Sequence, residues 1–167
     1  MGKLIFKIEN CLEDWNQLTN QTAIVLLKPL QIPPHIALIT GNYFVHITVK
    51  KSEIIPLNRW NKLARQKNLQ AIIFHLNNKN LLPIDISKIS FNPIAKGKTC
   101  LEPVKLLFQQ SHHTTIHDIL KDLQNSRSIE MVSGFNICNN IYILPEYTIE
   151  DVRNHIESLK KGHLQST

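Results

Sequence analysis

Hydrophobic and polar positions alternate along this chain with two different periods. Ala23-Ile24-Val25-Leu26-Leu27 is apolar throughout, the pattern of a buried strand, and Gln31-Ile32-Pro33-Pro34 breaks it. His35-Ile36-Ala37-Leu38-Ile39-Thr40 and Tyr43-Phe44-Val45-His46-Ile47-Thr48-Val49 are rich in β-branched and aromatic residues, with only Gly41-Asn42 between them. A two-residue loop with glycine first predicts a type II′ hairpin. Gln70 to Leu76 predicts a further strand. Leu81 to Pro93 is apolar but interrupted by Pro83 and Pro93, so a strand or an irregular segment is expected there.

Helical spacing dominates later. Pro56 to Asn68 predicts a short helix with Trp60, Leu63 and Ala64 on one side, and Cys100 to Gln109 another, with Val104, Leu107 and Phe108 in phase. Thr115-x-x-Asp118 and Thr148-x-x-Asp151 read as helix caps. The first precedes an Ile116, Ile119, Leu120, Leu123 stripe. The second precedes an Ile149, Val152, Ile156, Leu159 stripe that Lys160-Lys161-Gly162 is expected to close. Ile129 to Val132 and Asn140 to Leu144 are candidate strands. Strands early and helices late predict an α+β domain, a small antiparallel sheet packed with helices. At 167 residues the chain is expected to be one domain, 1–167.

The hairpin carries the first candidate chemistry. A two-residue loop pairs Thr40 with Tyr43, Ile39 with Phe44, Leu38 with Val45 and Ala37 with His46; continued, it pairs His35 with Thr48. Side chains on one face recur at every second residue, so His35 and His46 share a face as diagonal neighbours, roughly 5–8 Å apart. The small Ala37 opposite His46 leaves room for both rings. Two adjacent imidazoles can act as a base and the group that fixes its tautomer. Two histidines on a solvated hairpin face are the plain alternative.

The second candidate is Cys100, expected at a helix start after Lys96-Gly97-Lys98-Thr99. The helix dipole and the lysines would lower its thiol pKa, and Pro103 is tolerated in a first turn. A buried structural cysteine is the alternative. Cys11 and Cys138 are expected to be structural or incidental. The three cysteines match no zinc or redox spacing, which favours a reduced compartment.

Taken together, His35-Ile-Ala-Leu-Ile-Thr-Gly41-Asn-Tyr-Phe-Val45-His46 and Thr99-Cys100-Leu101-Glu102-Pro103-Val104 resemble the motifs of the permuted NlpC/P60-like cysteine enzymes, which include the lecithin:retinol acyltransferase-like group. The resemblance covers about residues 22–110, a catalytic-like core, and leaves a helical part at about 111–162. It implies a circularly permuted papain-like arrangement and attack on an amide, ester or thioester carbonyl through an acyl-enzyme. Cys100 would be the nucleophile, His35 its general base and His46 the orienting residue. Peptide, isopeptide or lipid acyl substrates fit this chemistry. A catalytically degenerate binding module on the same fold is the alternative.

Composition changes this picture little. The formal charge of +6 and pI of about 9.3 raise the odds of an anionic partner, but the basic residues are scattered. The few aromatics are not interleaved with them, so no nucleic acid is expected. His112-His113-Thr114-Thr115-Ile116-His117 is dense in histidine, but Thr115 as the helix start leaves His113 outside it. Neither a metal nor a cofactor is expected. Lys7 and Glu9 interrupt any secretory core, and no apolar run approaches a membrane span, so a cytoplasmic protein is the default expectation, with leaderless export left open.

Overall fold

The computed structural model describes residues 3–77, 79, 81–86, 89, 99–108 and 112–164, without the side chains of residues 163 and 164. Seven strands form one sheet in the order β2-β8-β7-β3-β4-β5-β6: β2 (Asn10–Cys11), β3 (Gln21–Leu27), β4 (His35–Gly41), β5 (Tyr43–Ile47), β6 (Ser52–Pro56), β7 (Ala71–Leu76) and β8 (Ile129–Phe135). The β2–β8 pair is parallel and every other pair antiparallel. A separate two-stranded ribbon joins β1 (Ile5–Lys7) to β9 (Ile141–Ile143). The α+β expectation holds, with a larger sheet than anticipated.

Both faces of the sheet are covered, which explains why residues 23–27 of β3 and 71–74 of β7 are apolar without alternation. On one face Val25, Ala37, Ile39, Phe44 and Ile73 pack against Trp15 and Leu18 of a short 3-10 helix (Trp15–Leu18) and against Leu57, Trp60 and Ala64 of helix α1 (Leu57–Gln66). On the other, Ile24, Leu26, Ile36, Leu38, Val45, Ile72 and Phe74 meet Val104 of α2 (Glu102–Lys105) and Ile116, Ile119, Leu120 and Leu123 of α3 (Ile116–Asn125). The ribbon joins this second layer through Phe6 and Tyr142. Thr115 caps α3 through a full capping box with Asp118. The Thr148 backbone amide and hydroxyl both donate to Asp151 at the start of α4 (Ile149–Leu164).

Several boundaries differ from the sequence expectations. The strand expected to reach Val49 stops at Ile47, because Thr48 turns the chain: its hydroxyl donates to the Lys51 carbonyl and accepts from the Lys51 amide. The helix expected from Cys100 is a single turn beginning at Glu102. The last helix runs past Gly162 to Leu164. Of the segment from Leu81 to Pro93, residues 81–86 and 89 lie in no strand, and the remainder falls outside the described residues.

Cys11 and Cys138, expected to be structural or incidental in a reduced compartment, form a disulfide. Parallel pairing sets Cys11 beside Gly134, and the chain after β8 curls back so closely that a Cβ on Gly134 would stand 1.8 Å from the Ile137 carbonyl oxygen. That curl brings the two Cα atoms to 5.6 Å, within bridging range.

Among the described residues no helix is long and apolar enough to cross a membrane, and no group of three His, Cys, Asp or Glu side chains is placed to hold a metal ion. His113, outside α3 as anticipated, instead bonds Asp122 at 2.7 Å.

Candidate active site

The hairpin register is the one its loop length dictates. Thr40, Ile39, Leu38 and Ala37 pair with Tyr43, Phe44, Val45 and His46. Gly41 supplies the positive φ, +59°, that a side chain would resist at the first loop position. The expected His35–Thr48 pair does not form, because β5 has already ended. His35 and His46 nevertheless converge on one face, their rings edge-on at 5.3 Å between centroids. His35 Nε2 lies 3.0 Å from His46 Nδ1.

A residue that the hairpin alone could not reveal completes the row. Glu53 stands directly opposite His46 on β6, and its Oε2 is 3.1 Å from His46 Nε2. Lys51 Nζ holds the other carboxylate oxygen at 2.9 Å. These contacts settle the tautomers. An ionised carboxylate only accepts, so His46 Nε2 carries the proton and donates to Glu53. His46 Nδ1 is then a lone pair, so His35 must donate to it from Nε2. What remains is His35 Nδ1, a basic nitrogen with no partner in the row. Phe44 and Trp60 stack at 3.7 Å, and Trp60 lies 5.9 Å from the His46 ring, so His46 is held against a rigid aromatic wall.

The electrostatics keep this row neutral apart from its acid. Burial pushes His35 down to about 3, with His46, Lys28 and His155 adding in that order. Burial also lowers His46, against the opposing pull of Glu53. Burial works to raise the Glu53 carboxyl, but Lys51 and His46 together hold it below its usual value. Both imidazoles are therefore unprotonated at neutral pH, and burial leaves His35 a weaker base than a free imidazole.

Cys100 approaches from the other layer. Its flank, Leu101 and Val104, packs with Ile36 and Leu38 on the sheet face opposite the histidines. Since β5 pairs with β4 only from Ala37 onward, His35 and Ile36 have no β5 partner, and Cys100 packs against the core cluster that contains Ile36, the residue next to His35. Among the described residues no hydrogen bond joins Cys100 to either histidine. Burial raises the Cys100 thiol, and backbone hydrogen bonds from Ile36 and Cys100 itself offset this only in part. The expected depression fails for a physical reason: the thiol precedes a one-turn helix and sits against an apolar core, so desolvation outweighs the dipole. Lys96 and Lys98 lie outside the described residues. Cys100 is the one free cysteine. Tyr147, just before α4, packs on the same core, and its phenol is pushed up by burial and by the neighbouring Cys100.

A cavity of about 470 Å³ opens over the histidine pair. Leu27, Val49, Leu69 and Leu159 line it with apolar surface, and Lys28 and Lys50 add positive charge. Its α4 side contributes His155, whose Nε2 is 3.5 Å from Gln31 Nε2. No protein-family model, curated protein or solved structure matches this chain.

Proposed function

We propose that the protein is a cysteine-nucleophile hydrolase or acyltransferase acting on an amide, ester or thioester, in the permuted NlpC/P60-like manner that its motifs resemble. The observation that carries the reading is the His35–His46–Glu53 row, which leaves His35 Nδ1 as its one free nitrogen lone pair, on the residue next to Ile36 of the core cluster against which Cys100 packs. In this reading His35 Nδ1 removes the thiol proton as sulfur attacks the carbonyl carbon. The resulting imidazolium returns that proton to the leaving amine, alcohol or thiol as the tetrahedral intermediate collapses. The acyl-thioester then passes to water or a second acceptor, with His35 again taking the proton. The thiol is raised by burial and the imidazole is neutral, so the resting site holds no thiolate–imidazolium pair.

The same raised thiol favours a second reading, a catalytically silent module in which the row is only a structural hydrogen-bond chain. Intact-mass measurement after exposure to p-nitrophenyl esters separates the two. A cysteine enzyme gains one acyl group that is lost in Cys100→Ala. The modification slows about 10²–10⁴-fold in His35→Ala, the usual weight of a general base. Glu53→Gln, which weakens the tautomer lock, slows it as well. Failure of Cys100 to acylate, or acylation at an unchanged rate in His35→Ala, leaves the silent module as the better description.

A further inference from the structure

The loop between β3 and β4 is built to hold apolar side chains out in water. Lys28 adopts a positive φ of 49°, and the Gln31 amide closes a turn onto the Lys28 carbonyl at 2.8 Å. The Tyr142 hydroxyl donates to the Pro29 carbonyl at 3.0 Å, and Pro29, Pro33 and Pro34 are all buried. Between these anchors Leu30 and Ile32 are 69% and 55% exposed, and no large apolar side chain described is more exposed than Leu30. Lone exposed leucines are ordinary, but two on one anchored loop are not placed there by core packing.

Positive charge surrounds them. Lys28 and Lys67 line a shallow groove together with Leu30, and Lys28 and Lys50 line the cavity over the histidines. Among the described residues no carboxylate lies within ion-pair distance of Lys28, Lys50 or Lys67. The chain as a whole carries a net +6. Apolar tips flanked by unpaired lysines suit an interface with hydrocarbon below and anionic headgroups beside it.

We propose that the β3–β4 loop docks this protein on an anionic lipid surface, with Leu30 and Ile32 entering the acyl boundary and Lys28 and Lys67 facing the headgroups. The cavity mouth, which shares Lys28 and Gln31 with the loop, then opens toward the lipid. The docking stands apart from the cysteine chemistry, and its test needs no turnover.

The test is flotation of the full chain with phosphatidylcholine vesicles, with and without phosphatidylglycerol, at low and high salt. Binding is expected only with phosphatidylglycerol, and raised salt should weaken it. The double variant Leu30→Ser/Ile32→Ser should abolish it. Lys28→Gln/Lys67→Gln should weaken it about 25-fold, at about fivefold per lysine. Both variants alter exposed residues, so their thermal unfolding should match the parent. As a second readout, Leu30→Trp should show a blue-shifted emission on phosphatidylglycerol vesicles and quenching by brominated lipid. Absence of binding to anionic vesicles overturns the proposal, as does binding indifferent to the loop variants. Preferential binding of a single-stranded oligonucleotide that competes the vesicles away would make nucleic acid the partner instead.

Discussion

Acidification should strip several kcal/mol from this fold well before its carboxylates are fully titrated. Burial pushes His35 down to about 3 in the folded chain, against about 6.5 for a free imidazole. A histidine whose folded pKa is depressed binds fewer protons folded than unfolded. Its neutral form therefore costs nothing above the unfolded pKa, and stability falls as pH drops below 6.5, until the folded pKa is reached near 3. At about 1.4 kcal/mol per pH unit, His35 alone removes about 3 kcal/mol by roughly pH 4. His46 and His75, both lowered chiefly by burial, act in the same direction. His75 is held between Gln21 and Ser133 at 2.8 Å on each side, an arrangement that suits the neutral ring. Glu53, held low, loses its own contribution at still lower pH. Urea unfolding across this range would display the slope. His35→Gln keeps a donor for His46 Nδ1 but cannot titrate, so it should lose much less on acidification. Equal losses in the variant and the parent would show that His35 is not the source.

The disulfide should matter about as much. Cys11 and Cys138 are 127 residues apart in sequence, and chain-entropy arguments place the stabilisation from closing such a loop at up to about 5 kcal/mol. It also fastens β2, a strand of only two residues, to the chain leaving β8. Cys11→Ser/Cys138→Ser, or treatment with reductant, should lower the unfolding midpoint by an amount equivalent to roughly 3–5 kcal/mol. The double variant keeps Cys100 as its single thiol, so labelling stoichiometry reports any loss of burial there directly. A midpoint that reductant does not move would contradict a disulfide in the folded protein.

The hairpin was legible because its information is local. Gly41-Asn42 sets the loop length, loop length sets register, and register sets which side chains share a face. Nothing in that chain of reasoning needs the rest of the fold. Glu53 was not legible by the same route. Ser52-Glu53-Ile54-Ile55-Pro56 does not alternate cleanly, and its register depends on where Thr48 turns the chain, a side-chain hydrogen bond that periodicity does not carry. The Cys11–Cys138 bridge was hidden for the opposite reason: it depends on two strands pairing across almost the whole sequence, and no short spacing announces it. For Cys100 the error was one of environment. Dipole and charge arguments assume a helix start facing water, whereas Leu101, Val104 and Leu107 draw this one into the core.

The sheet is open, so it has two edges, and the chain treats them differently. At β6 the edge is flanked by charged Lys51 and ends in Pro56, residues that discourage a further strand from adding on. At the other end the guard is β2, which pairs with β8 at Ser133 and Gly134, while the Glu9 amide before it donates to the Val132 carbonyl. Freed of β2, the seven-residue β8 would offer a bare, partly apolar edge to any other chain. The bridge that fastens β2 therefore bears on self-association as well as on unfolding: in the bridged molecule, a covalent bond holds in place the strand that shortens one of the two open edges.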